Sequence, residues 1–322
     1  MGARQLFLPF PGWTLPNVTG PRGIQVLVKA GWPISGKRVV IARSGPLLIA
    51  AGAELREAGA NVVLVAEQTG LSMLIRFGLA LLRSAPKKIF QAMQYQLKLL
   101  GVPYRTGCWV VAAQGEKQVE CVTLRTREKT WTAPCDHLAF AFGLVPNLEL
   151  PQLLGCRVKN GVVCVDLWQK TSVCGVYCAG EPTGIGGEER AIVEGQIAGY
   201  AAAGRHDLAG RLFKARSRAH KFSQAMDCGF ALRDELKQLA TPDTIVCRCE
   251  DVTRRQLEPY DSWRSAKLQT RCGMGPCQGR VCGGAARVLF GWEPESVRPP
   301  VFPVRVGTLT EIGQIGDTIP VS

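Results

Sequence analysis

Residues 37–67 read KRVVIARSGPLLIAAGAELREAGANVVLVAE: a β-branched run, a glycine turn, an Ala/Leu-rich stretch, a second glycine turn and another β-branched run. Two apolar strands around one helix predict a βαβ unit with a right-handed crossover. Two further helical stretches are predicted around Leu71 to Arg83 and Ala85 to Leu100, the second leading into a short strand from Pro103 to Thr106. Between Val110 and Ala133 the period shortens to the alternation of an antiparallel sheet, with turns at Glu116-Lys117 and Arg127-Glu128. Val176, Tyr177 and Cys178 read as a short strand; the chain then bends at Gly184, Gly186 and Gly187 and enters a small-residue helix from about Arg190. The stretch GRLFKARSRAHKFSQAMDCGFALRDELKQLA predicts one or two helices with an apolar stripe of Phe213, Phe222, Met226, Phe230, Leu232 and Leu236. From Trp292 the tail is proline-rich and reads as extended chain that can wrap a neighbouring subunit.

A chain of 322 residues with 46% hydrophobic content can build two or three cores, which excludes a disordered or fibrous protein. Arg, Ser or Glu cuts every apolar run before the roughly eighteen residues needed to span a bilayer. The start, MGARQLFLPFPGWTLP, lacks the segments of a secretory signal. The expectation is a cytoplasmic protein, soluble or peripheral on the inner face of the membrane. Lys+Arg at 39 against Asp+Glu at 26 leaves +13, which attracts an anionic partner, lipid or cofactor without choosing among them. No basic block interleaved with aromatics and no zinc-finger, RRM or KH signature is present, so nucleic acid is not expected.

A dinucleotide loop carries G-x-G-x-x-G or G-x-G-x-x-A after the first strand. Here those three positions are Arg43, Gly45 and Leu48, so only Gly45 keeps a backbone that can approach a pyrophosphate. Arg43 carries a fork that can meet a phosphate, and Glu67 stands where a ribose-binding acid would be. The balance favours a structural βαβ unit. The second glycine site, Gly180, Gly184, Gly186 and Gly187, suits either cofactor contact at the N-terminus of the next helix or close packing of that helix.

Of the 13 cysteines, nine are scattered (Cys108, Cys121, Cys135, Cys156, Cys164, Cys174, Cys178, Cys228 and Cys272) and read as buried thiols. Cys247 with Cys249, and Cys277 with Cys282, form two tight pairs, the second in a loop holding Gly273, Gly275 and Gly279 that can turn N–H groups toward sulfur. Four soft thiolates suit a [2Fe–2S] cluster or zinc, although Cys-x-Cys is tighter than the usual zinc spacing of about two to four residues. Arg248, Lys267, Arg271 and Arg280 lie close enough in sequence to offset the charge of about −2 on an oxidised cluster, and they equally suit a plain basic surface. From spacing alone, iron–sulfur, zinc and unligated thiols all stay open.

The segments FLPFPGWTLPNVTG, the βαβ unit, FAFGLVPN, TSVCGVYCAGEPTGIGG and the cysteine stretch together resemble the larger subunit of the two-component FAD-dependent amine and amino-acid dehydrogenases. That group includes hydrogen cyanide synthase, opine oxidase and proline or hydroxyproline dehydrogenase subunits. The resemblance implies an α/β chain with a glutathione-reductase-like FAD/NAD(P)-binding fold and a small C-terminal ferredoxin-like [2Fe–2S] module. It implies six segments: 1–35 as a connector of the FAD domain, 36–132 as an NAD(P)-binding-like insert, 133–205 as the rest of the FAD domain, 206–242 as a helical linker, 243–290 as the cluster module and 291–322 as a tail. It also implies that Gly180 matches the glycine of a Gly-Asp pair that holds FAD, with Glu181 in place of the aspartate. Cys247, Cys249, Cys277 and Cys282 match the cluster ligands, and Cys272 is an alternative in the third place because its spacing to Cys277 repeats that of Cys277 to Cys282. Relatives carry an intact G-x-G-x-x-G unit ahead of the segment matching Pro9 to Trp13, so a truncated or split member with half an FAD site is expected.

His137, His206 and His220 have no acid at informative spacing, so no acid-base set emerges. The expectation is an electron-transferring subunit of an FAD-dependent dehydrogenase or oxidase acting on the C–N bond of an amino acid or amine. A flavoprotein beta subunit would carry the substrate site, and a quinone or other respiratory acceptor would take the electrons. The alternatives are an NAD(P)H-dependent flavin oxidoreductase using the first loop and a non-catalytic iron–sulfur scaffold.

Overall fold

Alternation within the buried strands sets the layers of the molecule, a computed structural model that describes residues 2–293, 297–302 and 304–315. In chain order it begins with β1 (Ala3–Gln5), β2 (Val18–Thr19), α1 (Pro21–Lys29), β3 (Arg38–Arg43), α2 (Leu47–Glu57) and β4 (Asn61–Glu67). Then come α3 (Leu71–Ser84), α4 (Pro86–Lys98), β5 (Tyr104–Thr106), β6 (Trp109–Gln114), β7 (Cys121–Arg125), β8 (Thr130–Pro134), β9 (His137–Ala141) and β10 (Leu144–Pro146). A five-stranded sheet of order β2-β9-β3-β4-β5 is parallel throughout. In β3, Val39 and Ile41 point into a core with Ile24, Leu48, Leu55 and Leu99, whereas Val40 and Ala42 point into a second core with Phe10, Trp109 and Phe140. Helices cover the first face and the antiparallel sheet β6-β7-β8 the second, which is why these parallel strands read as unbroken apolar runs.

The βαβ unit, both helices after it, β5 and the three-strand meander lie where the periodicity predicts them. The boundaries at 36 and 132 cut through the sheet, however, because β2 and β9 come from the flanking segments 1–35 and 133–205. Two residues of strand are too few for a period to show, and the fully buried HLAFA of β9 lacks alternation. β1 pairs antiparallel with β10, tying the start of the chain to the exit from the sheet.

The remaining elements are α5 (Glu149–Leu153), the hairpin β11 (Val158–Lys159) and β12 (Val162–Val163), α6 (Gly187–Ala202), α7 (His206–Arg211), α8 (Phe213–Gly229), β13 (Ile245–Cys247), β14 (Val252–Thr253), α9 (Arg254–Leu257), α10 (Trp263–Thr270), α11 (Cys282–Phe290) and α12 (Val306–Ile315). Four readings change. Val176 to Cys178 form no strand and only Tyr177 bridges to Lys170, since the segment turns back after a few residues. Helix α6 starts at Gly187 rather than near Arg190, its two glutamates suiting the first turn. The tail holds a helix, α12, where proline content suggested extended chain. Among the scattered cysteines Cys174 and Cys228 are exposed and Cys121 and Cys164 half-buried, while Cys108, Cys135, Cys156, Cys178 and Cys272 are buried as expected.

The cysteine-bearing segment has a core of its own, which includes Val246, Val252, Leu257, Trp263, Ala266, Ala286 and Trp292. Its helices are closed by local signals: Ser262 accepts from the Ser265 amide at the start of α10, a Thr253–Gln256 capping box opens α9, and Gly291 ends α11 in the left-handed region. Trp13 Nε1 donates to the Ile245 carbonyl at 2.6 Å, and α11 lies close to Leu6 and Val145, so this unit is docked on the β1–β10 pair.

Candidate metal centre

β13 and the turn after it carry Cys247 and Cys249; the loop after α10 carries Cys272 and Cys277, and α11 begins at Cys282. Folding brings all five thiols together. The sulfurs of Cys247, Cys272 and Cys282 lie within 4.8 Å of one another. Cys277 is within hydrogen-bonding reach of Cys249 and Cys282. A cavity of about 140 Å³ opens between this unit and the body of the chain, and Cys247, Cys249, Cys277 and Cys282 line it together with Phe7 and Trp13. These are the four cysteines that the sequence pairs. Cys272 lies outside that lining, fully buried beside Cys247 and Cys282.

Several of the sulfurs face backbone N–H groups, as the glycines of the loop suggest. Gly273 N–H donates to Cys247 Sγ at 3.5 Å, Cys247 also accepts from the Glu250 amide, and Cys277 accepts from the Val281 and Gly279 amides. Hydrogen bonds from the neighbouring Cys272 and Cys282 thiols, then these amides, hold Cys247 down at about 2, and the Cys282 thiol leads in bringing Cys277 to about 5. The donors move the other way: Cys272, donating to Cys247, is pushed up to about 12, and Cys282 is raised. Burial raises Cys249. The five thiols thus bond to one another, with Cys247 and Cys277 on the accepting side. Arg248 lines the same cavity, anchored on the Thr14 carbonyl at 3.2 Å, whereas Arg271 is drawn off to Glu250 at 2.8 Å.

The second glycine site is built around an acid that sequence reading passed over. Glu194 of α6 is fully buried; its Oε2 accepts from the Gly180 amide at 2.9 Å and from Thr183 Oγ1 at 2.6 Å. Its Oε1 faces Arg190 Nε at 2.7 Å and His220 Nε2 at 2.9 Å. Burial acts to raise Glu194, and the hydrogen bonds from Thr183, Arg190 and His220 more than reverse it, so the carboxylate stays below its ordinary range. A side chain at Gly184 or Gly186 would strike the Arg190 side chain, so these two glycines make room for Arg190. Gly187 faces open space, and its amide donates to Glu181 Oε1 at 3.0 Å. Glu181 Oε2 is buried without a hydrogen-bond partner among the described residues. The i,i+4 pair Arg190–Glu194 was the available signal for this network.

At the first loop Glu67 turns inward rather than toward a ribose: its Oε2 accepts from the Gly45 amide at 2.9 Å and its Oε1 from the Thr69 amide at 2.8 Å. Burial raises Glu67 to about 7 against those two bonds, and the same burial lowers Arg43 to about 10. Beyond the loop, a side chain at Gly45 would touch Met226 and Phe230, and Gln68 bonds the Ala231 carbonyl at 3.0 Å. The end of α8 therefore covers this loop, against its use for NAD(P)H.

The sequence profile of the pyridine nucleotide-disulphide oxidoreductases matches residues 1–205. The chain belongs to that family. This oxidoreductase is 31% identical to hydrogen cyanide synthase subunit HcnB of Pseudomonas aeruginosa over 97% of its own length and 75% of that protein's. It is 28% identical to an opine oxidase subunit of Rhizobium meliloti over 97% of its length and 65% of the other's. L-proline dehydrogenase from P. horikoshii superposes with a TM-score of 0.56 at 18% identity, covering 96% of this chain and 57% of that one, a likeness of fold. The expected mixed α/β FAD/NAD(P)-binding fold and the suspected relationship both hold, and the relatives are subunits of larger oxidases or synthases. Among the described residues of this oxidoreductase no helix is long and apolar enough to cross a membrane.

Proposed function

We propose that this oxidoreductase is the electron-transferring subunit of an FAD-dependent dehydrogenase or oxidase acting on the C–N bond of an amino acid or amine, with a [2Fe–2S] cluster on Cys247, Cys249, Cys277 and Cys282. The observation that carries the reading is the convergence of those four sulfurs on one cavity. Soft thiolates that receive backbone N–H bonds are the donor set such a cluster takes. When bound, the cluster supplies single-electron transfer between a flavin and an acceptor. The chain's own part is to hold the sulfurs, to bring the Arg248 guanidinium beside them and to bury one side of the cavity against Phe7, Trp13 and Phe140.

Gly180, Glu181 and Gly187 are the residues proposed to hold part of an FAD. The unpartnered Glu181 Oε2 supports this, because a buried carboxylate oxygen needs a donor and a flavin side chain offers hydroxyls. Gly184 and Gly186 then act by seating Arg190, and Gly45 stays with Glu67. The partner is a flavoprotein subunit with the substrate site, and a quinone or similar carrier is the acceptor. That the relatives are themselves subunits supports an assembly of this kind.

The test is anaerobic purification followed by iron and acid-labile sulfide analysis and by EPR after reduction. Two irons and two sulfides per chain with a rhombic S = 1/2 signal are expected, and copurification of a flavoprotein with amino-acid-dependent dye reduction completes the picture. Zinc in the site, or no metal after anaerobic reconstitution, would overturn the relay.

A further inference from the structure

Helices α3 and α4, joined through Ala85 alone, each carry two apolar faces. The inner faces pack: Phe77 meets Phe230 edge-to-face at 4.9 Å, and Leu99, just past α4, lies in the core beside Ile41 and Leu55. Among the described residues the outer faces have no such cover. On α3, Leu71, Ile75, Leu79 and Leu82 repeat at helical spacing; on α4 and the turn that ends it, Phe90, Met93, Leu97 and Leu100 do the same. All eight are 56–67% exposed. Solitary exposed leucines are ordinary, but two contiguous stripes on adjoining helices mark a surface that is covered in use.

We propose that these stripes are a membrane-docking surface for an anionic lipid bilayer, with α3 and α4 lying in its interface. Charge selects this occupant. Residues 68–115, which contain both helices, hold six basic residues and no Asp or Glu. Arg76 and Lys87 are exposed on the borders of the stripes, where they can reach lipid phosphates while the apolar side chains enter the acyl region. Lys88 and Lys98 are paired with Glu189 and Glu57, so the attraction rests on a few cations and the insertion on the eight apolar residues. The helices have 14 and 13 residues, about 20 Å each, which suits lying in the interface and is too short to span. The stripes contain no Tyr, Trp or Arg, the side chains that dominate hot spots of protein interfaces. This inference is independent of the cluster and of the substrate.

Flotation of the full chain with vesicles tests it, using phosphatidylcholine alone and phosphatidylcholine with about one third phosphatidylglycerol. The chain is expected to float with the anionic vesicles and to be released in part by salt. The double variant Ile75→Glu/Leu79→Glu should lower partitioning by at least roughly tenfold. Phe90→Ser, on the other helix, should lower it independently, and Arg76→Glu/Lys87→Glu should remove the preference for anionic vesicles. Unchanged far-ultraviolet circular dichroism shows that each variant is folded. A wild-type chain that stays with neither vesicle overturns the proposal, as does flotation insensitive to the stripe variants. Loss of a self-associated species or of a copurifying subunit in the Ile75→Glu/Leu79→Glu variant, with no vesicle binding by the wild type, would reassign the surface to a protein contact.

Discussion

At Gly275 a single added methyl group would run into the turn that carries Cys249. A Cβ there would overlap Cys249 Cβ, so Gly275→Ala must displace the Cys249 turn. Iron content after reconstitution should fall by more than half, while the far-ultraviolet spectrum stays as it is. Cys272 offers the reverse case. Because it lies behind the cavity, Cys272→Ser should retain full iron, whereas Cys282→Ser should lose most of it; iron analysis and visible absorption read both. The sequence pointed to both cysteine pairs, and equal spacing left Cys272 as a rival; in space it sits within 4.8 Å of Cys247 and Cys282 but outside the cavity lining. Glu67 gives a pH signature. Its folded value, about 7, lies above the ordinary 4.5, so the stability tied to its protonated form is complete below 4.5 and is lost as pH rises through about 7. Melting temperature should decline over that window, and Glu67→Gln should flatten the decline.

On the scale of one element, α6 shows how a helix recognised from its pattern can carry an unrecognised function. Small residues announce the helix, but Glu194 is polar and gives no apolar-face signal, and its partners Gly180, Thr183 and His220 are 14, 11 and 26 residues away. The folded chain makes this acid the hub that shapes the 180–187 turn. Glu194→Ala strands the Arg190 guanidinium without its buried carboxylate, and should cost about 3 kcal/mol in urea unfolding. The same reasoning explains α8: its apolar positions were legible, but not that Met226 and Phe230 would close the degraded loop at Gly45.

Across the whole molecule, the cysteine unit and the body share one wall. Phe7, Phe10, Trp13 and Phe142 surround Phe140 in edge-to-face contacts, with ring centroids 4.9–6.4 Å from it, and Phe7, Trp13 and Phe140 line the cavity beside the cysteines. Trp13→Phe keeps most of the apolar surface and removes the bond to Ile245, so docking should weaken by about 1 kcal/mol. Faster amide exchange in β13, with the five-stranded sheet unchanged, is the expected readout. The βαβ unit, the paired helices after it, the meander and the thiol pairs were determined by sequence alone, because period, turn residues and ligand spacing are local properties of a chain. The strand order, the carboxylate hub at Glu194, the covered loop and the cavity that four sulfurs share were decided only by tertiary structure. Each of these joins groups far apart along the chain, and packing alone sets which of them meet.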